Sequence, residues 1–370
     1  MQGTLTFTRP DHVVPDEERP GLLRAPHTAD DDRGDPHTRE LHDLSAPDTV
    51  EPGLLAAGFE TVDLSGNAAL QAALDDVRER DHLSDDTGDA IRDSVRGSMF
   101  PLADGLTLRV DFISDDGLFH RRSGPNGLDV NPGGMDGING HAGAVFVHGD
   151  QDVFGTPLRQ LMHGAAPDMF NHVTPDARND EATTFLLNLW VPLHAPVQPL
   201  ALMDRRTLDA PRHQLRYGLP VDGFLERDED ATVNDIWSFL HHEDQQWYVR
   251  TDMTSSQGYV FDTLGIAHGA AVLPGEATLE AHARALHEIR ALLDADDRPG
   301  AEALAADHRP PPLPADATAS IADAARVMAQ LVAEAASGAA DDWPARADAA
   351  VDHVIRRSIE LRLVASLVDE

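Results

Sequence analysis

The sequence contains neither cysteine nor lysine, and each absence removes a class of site. All 29 basic residues of the 370-residue chain are arginines, against 64 acidic residues, so the formal net charge at pH 7 is −35. Without cysteine the chain cannot form disulfides or thiolate metal sites. A surface this acidic offers no basic stripe to neutralise the phosphates of a nucleic acid or of an anionic membrane. We therefore expect neither nucleic acid nor membrane as a partner.

Long apolar runs are absent as well. No stretch of about 18 uncharged apolar residues occurs, and the N-terminus lacks the basic-then-apolar pattern of a signal peptide. Hydrophobic residues still make up 41% of the chain, which is enough for a sizeable core. We expect a soluble cytoplasmic protein. Its acidic, lysine-free surface favours adaptation to a salt-rich cytoplasm, and a GC-rich genome is the alternative explanation.

The first 52 residues differ in composition from the rest of the chain. They are rich in Asp, Pro, His and Arg, and they include three consecutive aspartates at 30–32. Segments of this kind bury too little apolar surface to become ordered. We therefore predict an irregular acidic arm at 1–52 and a single domain at 53–370, which begins with two helices capped by Ser65 and Ser84.

Apolar residues then recur first with the period of strands and later with that of helices. Residues 106–112 alternate between apolar and polar side chains, which is typical of a strand with one buried face. Further strands are predicted at 144–147, 183–191, 198–203, 246–250, 258–264 and 354–368. After Pro274 the spacing becomes helical. The fold class is therefore mainly β with helical additions: a β core at about 100–276 and 351–368, and a helical insertion at about 277–350.

With 19 histidines and no cysteine, a metal site in this chain would use His and carboxylate ligands. An H-x-D or H-x-E pair on a strand puts both side chains on one face. A second, distant His completes a facial triad, which leaves metal positions open for a co-substrate and oxygen. Three such pairs occur, no more than chance predicts from the composition: His148/Asp150, His241/Glu243 and His242/Asp244. The last two lie in a polar run typical of a solvated turn, whereas the first closes an apolar strand and is the stronger candidate.

The C-terminal segment carries a second candidate site. If residues 356–362 form a strand, Arg356, Ser358, Glu360 and Arg362 share one face. An arginine and a hydroxyl two residues apart form a fork that can bind a carboxylate. Because the chain has no lysine, any such anchor must be arginine. A surface strand with an internal Arg–Glu ladder is the alternative interpretation.

Four separated segments resemble one known family. In chain order, 144–161, 184–204, 247–276 and 356–364 carry V-H-G-D, N-L-W-V-P-L, F-D-T with a later His, and R-R-S-I-E-L-R. They resemble successive blocks of a family of iron(II)/2-oxoglutarate oxygenases. This family includes fungal secondary-metabolite hydroxylase/desaturases and the bacterial cephalosporin 7α-hydroxylase component. Val191 departs from the pattern, since the family often has Arg at that position.

The resemblance implies a double-stranded β-helix (a jelly-roll, cupin-like core) and a set of site residues. The implied iron ligands are His148, Asp150 and His268. Arg356 with Ser358 matches the R-x-S that would hold the distal carboxylate of 2-oxoglutarate, and Arg362 is a second candidate for that role. The residues that would line the pocket are Asn188 and Trp190.

The function implied is hydroxylation or desaturation of a small molecule, with Fe(II), 2-oxoglutarate and O2 as cofactors. Halogenation is not expected, because Asp150 fills the place where halogenating relatives have a small residue. One alternative is a cupin-like dioxygenase or isomerase that uses the metal without 2-oxoglutarate. Another is a β-barrel binding module without a metal. The apolar faces of the helical insertion could pack on the core or on a second subunit of a homo-oligomer.

Overall fold

The computed structural model describes residues 1–17, 20–25, 34–131, 133–134, 137–151, 183–220 and 233–368. The strands in these ranges are β1 Gln2–Thr8, β2 Val14–Pro15, β3 Leu23–Ala25, β4 Gly34–Asp43, β5 Phe59–Asp63, β6 Met99–Pro101, β7 Thr107–Ser123, β8 His141–Ala142, β9 His148–Gly149, β10 Thr184–His194, β11 Leu200–Met203, β12 Gln214–Pro220, β13 Val233–Phe239, β14 Trp247–Val249, β15 Gln257–Asp262, β16 His268–Ala270 and β17 Arg356–Val368. The helices are α1 Leu54–Ala57, α2 Ala68–Arg80, α3 Asp85–Val95, α4 Ala210–His213, α5 Glu276–Asp294, α6 Arg298–Asp307, α7 Ala319–Ala335 and α8 Trp343–His353.

The strands form two sheets whose pairing defines a jelly roll. One sheet has the order β1-β4-β14-β11-β16-β9-β13-β12-β3-β2, and the other has the order β5-β15-β10-β17-β7-β6 with β8 beside β7. Of eight core strands taken in chain order, the first pairs with the last (β7 with β17), the second with the seventh (β9 with β16) and the third with the sixth (β10 with β15). The remaining two, β11 and β13, flank β16 and β9. This nested pairing confirms the prediction of a mainly β, double-stranded β-helix core with helical additions.

Alternation along β17 determines which side chains face the inside of the roll. Ile359, Leu361 and Leu363 lie in an apolar cluster with residues of α2 and α3, such as Leu74 and Ile91, so this face of the sheet is covered by helices. The intervening residues of β17 point between the two sheets. The strand thus contributes apolar side chains to the core and polar ones to the interior of the roll.

The helices between 276 and 353 lie where the sequence predicts a helical insertion, and they cover the other sheet. Leu279 and Leu286 of α5 share a cluster with Leu331 of α7 and with Trp247 of the ten-stranded sheet. Trp343 at the start of α8 is fully buried, and its indole N–H donates to the Leu331 carbonyl at 2.8 Å. In the described ranges no helix combines the length and the apolarity needed to cross a bilayer.

The prediction of an irregular arm at 1–52 is wrong for its secondary structure. Strand β1 pairs antiparallel with β4, and β4 runs parallel to β14 of the core. Leu5 and Phe7 are fully buried, because alternation within β1 turns both onto the sheet's apolar side. Strand β14, which connects β4 to the core, lies more than 200 residues away in the chain, so the composition of residues 1–52 alone did not reveal their order.

The caps of the first two long helices test the predicted starts. Ser84 caps α3 as predicted, since its side chain accepts a hydrogen bond from the Thr87 N–H at 3.2 Å. The cap of α2 is Asn67 and not Ser65, because the Asn67 side chain accepts from the Leu70 N–H at 3.0 Å. Both are residues that commonly satisfy the free N–H groups of a helix start.

A pair of neighbouring histidines in the helical insertion is expected to make the stability of the fold depend on pH. The His282 and His308 rings approach through Nδ1 and Nε2 at 3.1 Å, and His282 is buried. Burial, with the His308 charge, lowers the pKa of His282 to about 4, whereas an unfolded histidine titrates near about 6.5. Because the unfolded state binds the proton more tightly, the free energy of unfolding falls as the pH decreases from about 6.5 to about 4, by about 1–2 kcal/mol.

Urea denaturation across this pH range tests the prediction. We expect His282→Gln to reduce the pH dependence of the unfolding free energy. The matched control is His287→Gln, which changes an exposed histidine of the same helix. Equal pH dependence in the wild type and in His282→Gln would contradict the assignment.

Candidate metal centre

Two paired strands bring two histidines and an aspartate together inside the roll. His148 of β9 and His268 of β16 are direct partners across the antiparallel pair, and Asp150 follows β9. The Nε2 atoms of both histidines lie 3.6 Å from Asp150 Oδ1. One ligand atom from each residue falls within 4.8 Å of the others. In the described part of the chain these three residues form the one cluster able to hold a metal ion.

The backbone orients both imidazoles for metal binding. His148 Nδ1 lies 2.9 Å from the Phe146 carbonyl oxygen, and His268 Nδ1 lies 3.4 Å from that of Ile266. A carbonyl oxygen can only accept, so each Nδ1 carries a proton, and in a neutral imidazole the lone pair is then on Nε2. Burial and the neighbouring His268 lower the pKa of His148, which favours its neutral form. Both imidazoles therefore present Nε2 towards Asp150 as metal ligands do.

The Asp150 carboxylate is held by two buried polar side chains. Asn188 Nδ2 donates to Asp150 Oδ2 at 2.5 Å, and Arg362 Nη2 lies 3.8 Å from Oδ1. Burial by itself raises the pKa of Asp150, but the neighbouring His268 and the Arg362 charge hold that pKa well below its ordinary value. Asp150 is thus an ionised carboxylate, and its side chain is 4% exposed.

A chain of hydrogen bonds leads from Asp150 to two residues that the sequence did not single out as site residues. Asn188 Nδ2 also donates to Glu360 Oε1 at 3.0 Å, and Arg121 Nε donates to Glu360 Oε2 at 2.6 Å. Glu360 lies on the predicted inner face of β17, so the period-two pattern could have identified it. Arg121 faces Ser358 across the β7–β17 pair, and no local motif marks it.

Arg356 lines the same cavity as His148 and His268. Its Nη1 donates to the Gln198 carbonyl at 2.9 Å, and its Nε is buried without a hydrogen-bond partner in the described ranges. Burial, with the nearby Arg121 charge, lowers its pKa to about 10, so it remains charged at neutral pH. Ser358 is fully buried, and its Oγ likewise has no partner among the described residues. The Arg356 guanidinium in the cavity fits a ligand that carries a carboxylate, whereas Ser358 is absent from the described cavity wall.

Three arginines lie on the inner side of the roll, and they differ in their ionic partners. Arg121 pairs with Glu360, and Arg362 lies within 3.8 Å of Asp150. Arg356 has no carboxylate within 4.0 Å in the described part of the chain. It is therefore the arginine of the three whose charge is left for a bound anion.

The other predicted site residues take different positions. Trp190 lines the cavity, whereas Asn188 is fully buried behind it and contacts Asp150. Arg362 is absent from the described cavity wall. The alternative of an exposed Arg–Glu ladder is wrong, because the inner-face residues of β17 are at most 5% exposed. Residues 152–161 of the first family-like segment lie outside the described residues.

The two competing histidine–acid pairs lie away from this cluster. His242 Nδ1 is 3.5 Å from Asp244 Oδ2, with 46% and 85% of the two side chains exposed. His241 stacks on His37 with the ring centroids 3.7 Å apart, and Arg39 Nη1 lies 3.0 Å from its Nε2. Neither pair brings a third ligand into place among the described residues.

The donor set of the cluster fits a divalent transition metal. Two neutral imidazoles and one carboxylate are the facial ligands of non-haem Fe(II) sites, and they leave positions open for further ligands. The cavity next to these ligands has apolar walls, including Phe261, whose ring centroid lies 4.7 Å from that of His268. An anion held by Arg356 would enter the same cavity as a metal on the histidines.

Comparison with known proteins gives remote similarities. No protein-family model matches the chain, and no curated protein matches it. Among solved structures, the iron and alpha-ketoglutarate-dependent endoperoxidase NvfI is similar over 99% of this chain and 97% of its own, with 15% identity and a TM-score of 0.48. A single-residue variant of NvfI is similar over 99% of this chain and 96% of its own, with 15% identity and a TM-score of 0.49. NvfI in a different conformation is similar over 99% of this chain and 97% of its own, with 16% identity and a TM-score of 0.47.

Proposed function

We propose that the chain is a non-haem Fe(II)- and 2-oxoglutarate-dependent dioxygenase that hydroxylates or desaturates a small molecule. The observation that carries this proposal is that His148 and His268 of the metal-binding cluster line one cavity together with Arg356, with Asp150 beside the two histidines. A facial set of two histidines and a carboxylate holds Fe(II) with open positions. A buried arginine without a carboxylate partner supplies the charge that a dicarboxylate co-substrate needs.

Each residue of the site has a separate task in this proposal. His148, Asp150 and His268 would hold the metal, and Asn188 orients the Asp150 carboxylate through its 2.5 Å hydrogen bond. Arg356 and Ser358 would bind the distal carboxylate of 2-oxoglutarate, which satisfies the buried Arg356 Nε and Ser358 Oγ. The apolar side chains of the cavity, such as Trp190, exclude water from the reacting groups.

The chemistry that bound Fe(II), 2-oxoglutarate and O2 would supply is oxidative decarboxylation to succinate and CO2, coupled to removal of hydrogen from a C–H bond. The protein contributes position and shielding. Asp150 occupies the third ligand place with a carboxylate held from two sides. A halide has no such place to take, so the proposal is hydroxylation or desaturation and not halogenation.

The alternatives make different demands on the same residues. A cupin-like dioxygenase or isomerase without 2-oxoglutarate would not need Arg356 and Ser358 on the inner face of β17, yet both are buried there. A binding module without a metal would not need both Nε2 atoms within 3.6 Å of one carboxylate oxygen. Both observations favour the 2-oxoglutarate-dependent enzyme.

Spectroscopy of the wild-type protein tests the proposal. We expect Fe(II) and 2-oxoglutarate, added together without oxygen in molar salt, to produce a visible metal-to-ligand charge-transfer band. Fe(II) alone should produce none. A band requires both the metal ligands and the co-substrate site, because it reports direct binding of 2-oxoglutarate to the iron.

The control for this experiment is His148→Ala in the same conditions. Loss of a ligand should remove the band while circular dichroism shows an intact fold. Absence of the band with the wild type, or an unchanged band with His148→Ala, would contradict the proposed function. Succinate formation in the presence of oxygen gives an independent measurement.

A further inference from the structure

A buried carboxylate at the start of the helical insertion connects three separate segments of the chain. Glu276, the first residue of α5, is fully buried. Its Oε1 accepts hydrogen bonds from the Gln198 and Leu273 N–H groups, each at 2.9 Å, and its Oε2 accepts from the Asn126 N–H at 2.8 Å. A carboxylate with three backbone donors and no ion pair in the described ranges holds backbone segments in place.

Two of these donors have a strained backbone. Gln198 has φ +48° and Asn126 has φ +55°, in the left-handed region that residues other than glycine rarely adopt. Such conformations persist where surrounding contacts enforce them, and they concentrate at functional sites. Both residues direct their N–H groups at the same carboxylate, so Glu276 is a contact that the two turns share.

The turn at Gln198 contacts the side chain proposed to bind the co-substrate. The Gln198 carbonyl accepts the hydrogen bond from Arg356 Nη1 at 2.9 Å. The Gln198 side chain accepts from the Ser123 hydroxyl, which ties the turn to β7. On the other side, a Cβ at Gly143 would come within 2.6 Å of Arg356 Nη2. The guanidinium therefore lies between the Gly143 backbone and a turn that Glu276 holds.

We infer that Glu276 is a positioning residue for 2-oxoglutarate binding: through the Gln198 turn, it places the Arg356 guanidinium for the distal carboxylate. The inference rests on the proposed function and extends it to the helical insertion. The insertion thus contributes to the site from its first residue, without any side chain in the described cavity wall. Glu276 acts through Gln198 and does not touch the co-substrate.

Binding of 2-oxoglutarate to the anaerobic Fe(II)-loaded protein tests the inference, by calorimetry and by the charge-transfer band. We expect Glu276→Ala to weaken 2-oxoglutarate binding about tenfold, as for loss of a hydrogen bond to a charged group. The affinity for Fe(II) should be unchanged, because the iron ligands do not contact Glu276. The matched control is Glu280→Ala, one turn later on α5, whose Oε2 accepts from Asn126 Nδ2 at 2.7 Å without touching Gln198.

The outcomes separate this inference from the proposed function. Failure of the wild type to bind 2-oxoglutarate would reject the proposed function itself. If the wild type binds it and the two alanine variants bind equally well, the positioning role is wrong. Parallel loss of Fe(II) and 2-oxoglutarate binding in Glu276→Ala would show a general structural role and also overturn it.

A milder pair of variants decides the matter if Glu276→Ala does not fold. Glu276→Gln keeps an oxygen for Gln198 and Leu273 but removes the charge, so its hydrogen bonds weaken by about half. We expect 2-oxoglutarate affinity to fall about threefold relative to Glu280→Gln. Equal affinities in these two variants would overturn the inference.

Discussion

Replacing Asp150 with alanine is expected to lower the affinity for Fe(II) by about 100-fold or more and to abolish turnover. The carboxylate lies 3.6 Å from both imidazole Nε2 atoms and is the anionic group of the cluster. Without it, two neutral imidazoles would hold the metal with no charge to balance it. Anaerobic Fe(II) titration, followed by the charge-transfer band with 2-oxoglutarate, measures the change.

The chain provides its own matched control for this variant. Asp244 has the same spacing from His242 as Asp150 has from His148, but its side chain is 85% exposed. Asp244→Ala should therefore leave Fe(II) binding and turnover at the wild-type level. If both variants lost Fe(II) binding equally, or neither did, the metal centre would not be at His148, Asp150 and His268.

Replacing Arg356 with methionine is expected to raise the KM for 2-oxoglutarate by about 100-fold, with a smaller change in Fe(II) affinity. A charge-assisted, bidentate pair with a carboxylate in a buried site contributes about 3 kcal/mol, which corresponds to that factor. Methionine replaces the apolar methylene stem of the arginine side chain and removes its charge, so the fold should tolerate it. Ser358→Ala should raise the same KM by a smaller factor, since it removes one neutral hydrogen-bonding group.

Arg362→Met separates the two arginines that the sequence leaves as candidates. Arg362 lies 3.8 Å from Asp150 Oδ1, so its loss should weaken Fe(II) binding and leave the KM for 2-oxoglutarate nearly unchanged. The opposite pattern, with the larger KM effect in Arg362→Met, would assign the anchor to Arg362. Initial rates at varied 2-oxoglutarate with saturating Fe(II) provide the measurement.

Charged residues on the surface form exposed ion pairs, whereas those inside the roll are buried around the candidate site. The chain carries a net charge of −35, and many of its arginines form exposed pairs such as Arg326 with Asp323, which add little stability. Inside the roll, Arg121 pairs with Glu360 and Arg362 lies near Asp150, whereas Arg356 has no carboxylate partner among the described residues. An acidic surface therefore surrounds a site that still has positive charge for an anionic co-substrate.

The inner face of β17 could be predicted because it follows from local periodicity. Alternation places Arg356, Ser358 and Glu360 together wherever the strand lies. The strand predicted at 144–147 is wrong, because β9 covers only His148–Gly149 and Asp150 lies just after it. The acidic composition makes histidine–acid pairs common, so the spacing alone does not identify the metal-binding pair. With so many carboxylates, three histidine–acid pairs occur, and only burial and a third ligand distinguish the one inside the roll.

The residues that the sequence missed are those whose partners are far away in the chain. Glu276 holds residues about 80 and 150 positions away, and Arg121 reaches Glu360 across the β7–β17 pair. No periodicity marks such contacts, since each depends on which strands become neighbours. The same holds for β1 and β4, whose order comes from pairing with the core and not from their own composition.

By itself, the sequence determined that the protein has a mainly β core, a histidine and an aspartate two residues apart and an arginine–hydroxyl face on its last strand. These depend on side chains a few residues apart, where backbone geometry alone sets their relative directions. The tertiary structure decided which arginine is left without a carboxylate, where the N-terminal strands pack and which buried carboxylate supports the Arg356 site. Those features arise from nested pairing of distant strands, which brings β7, β9, β16 and β17 around one cavity.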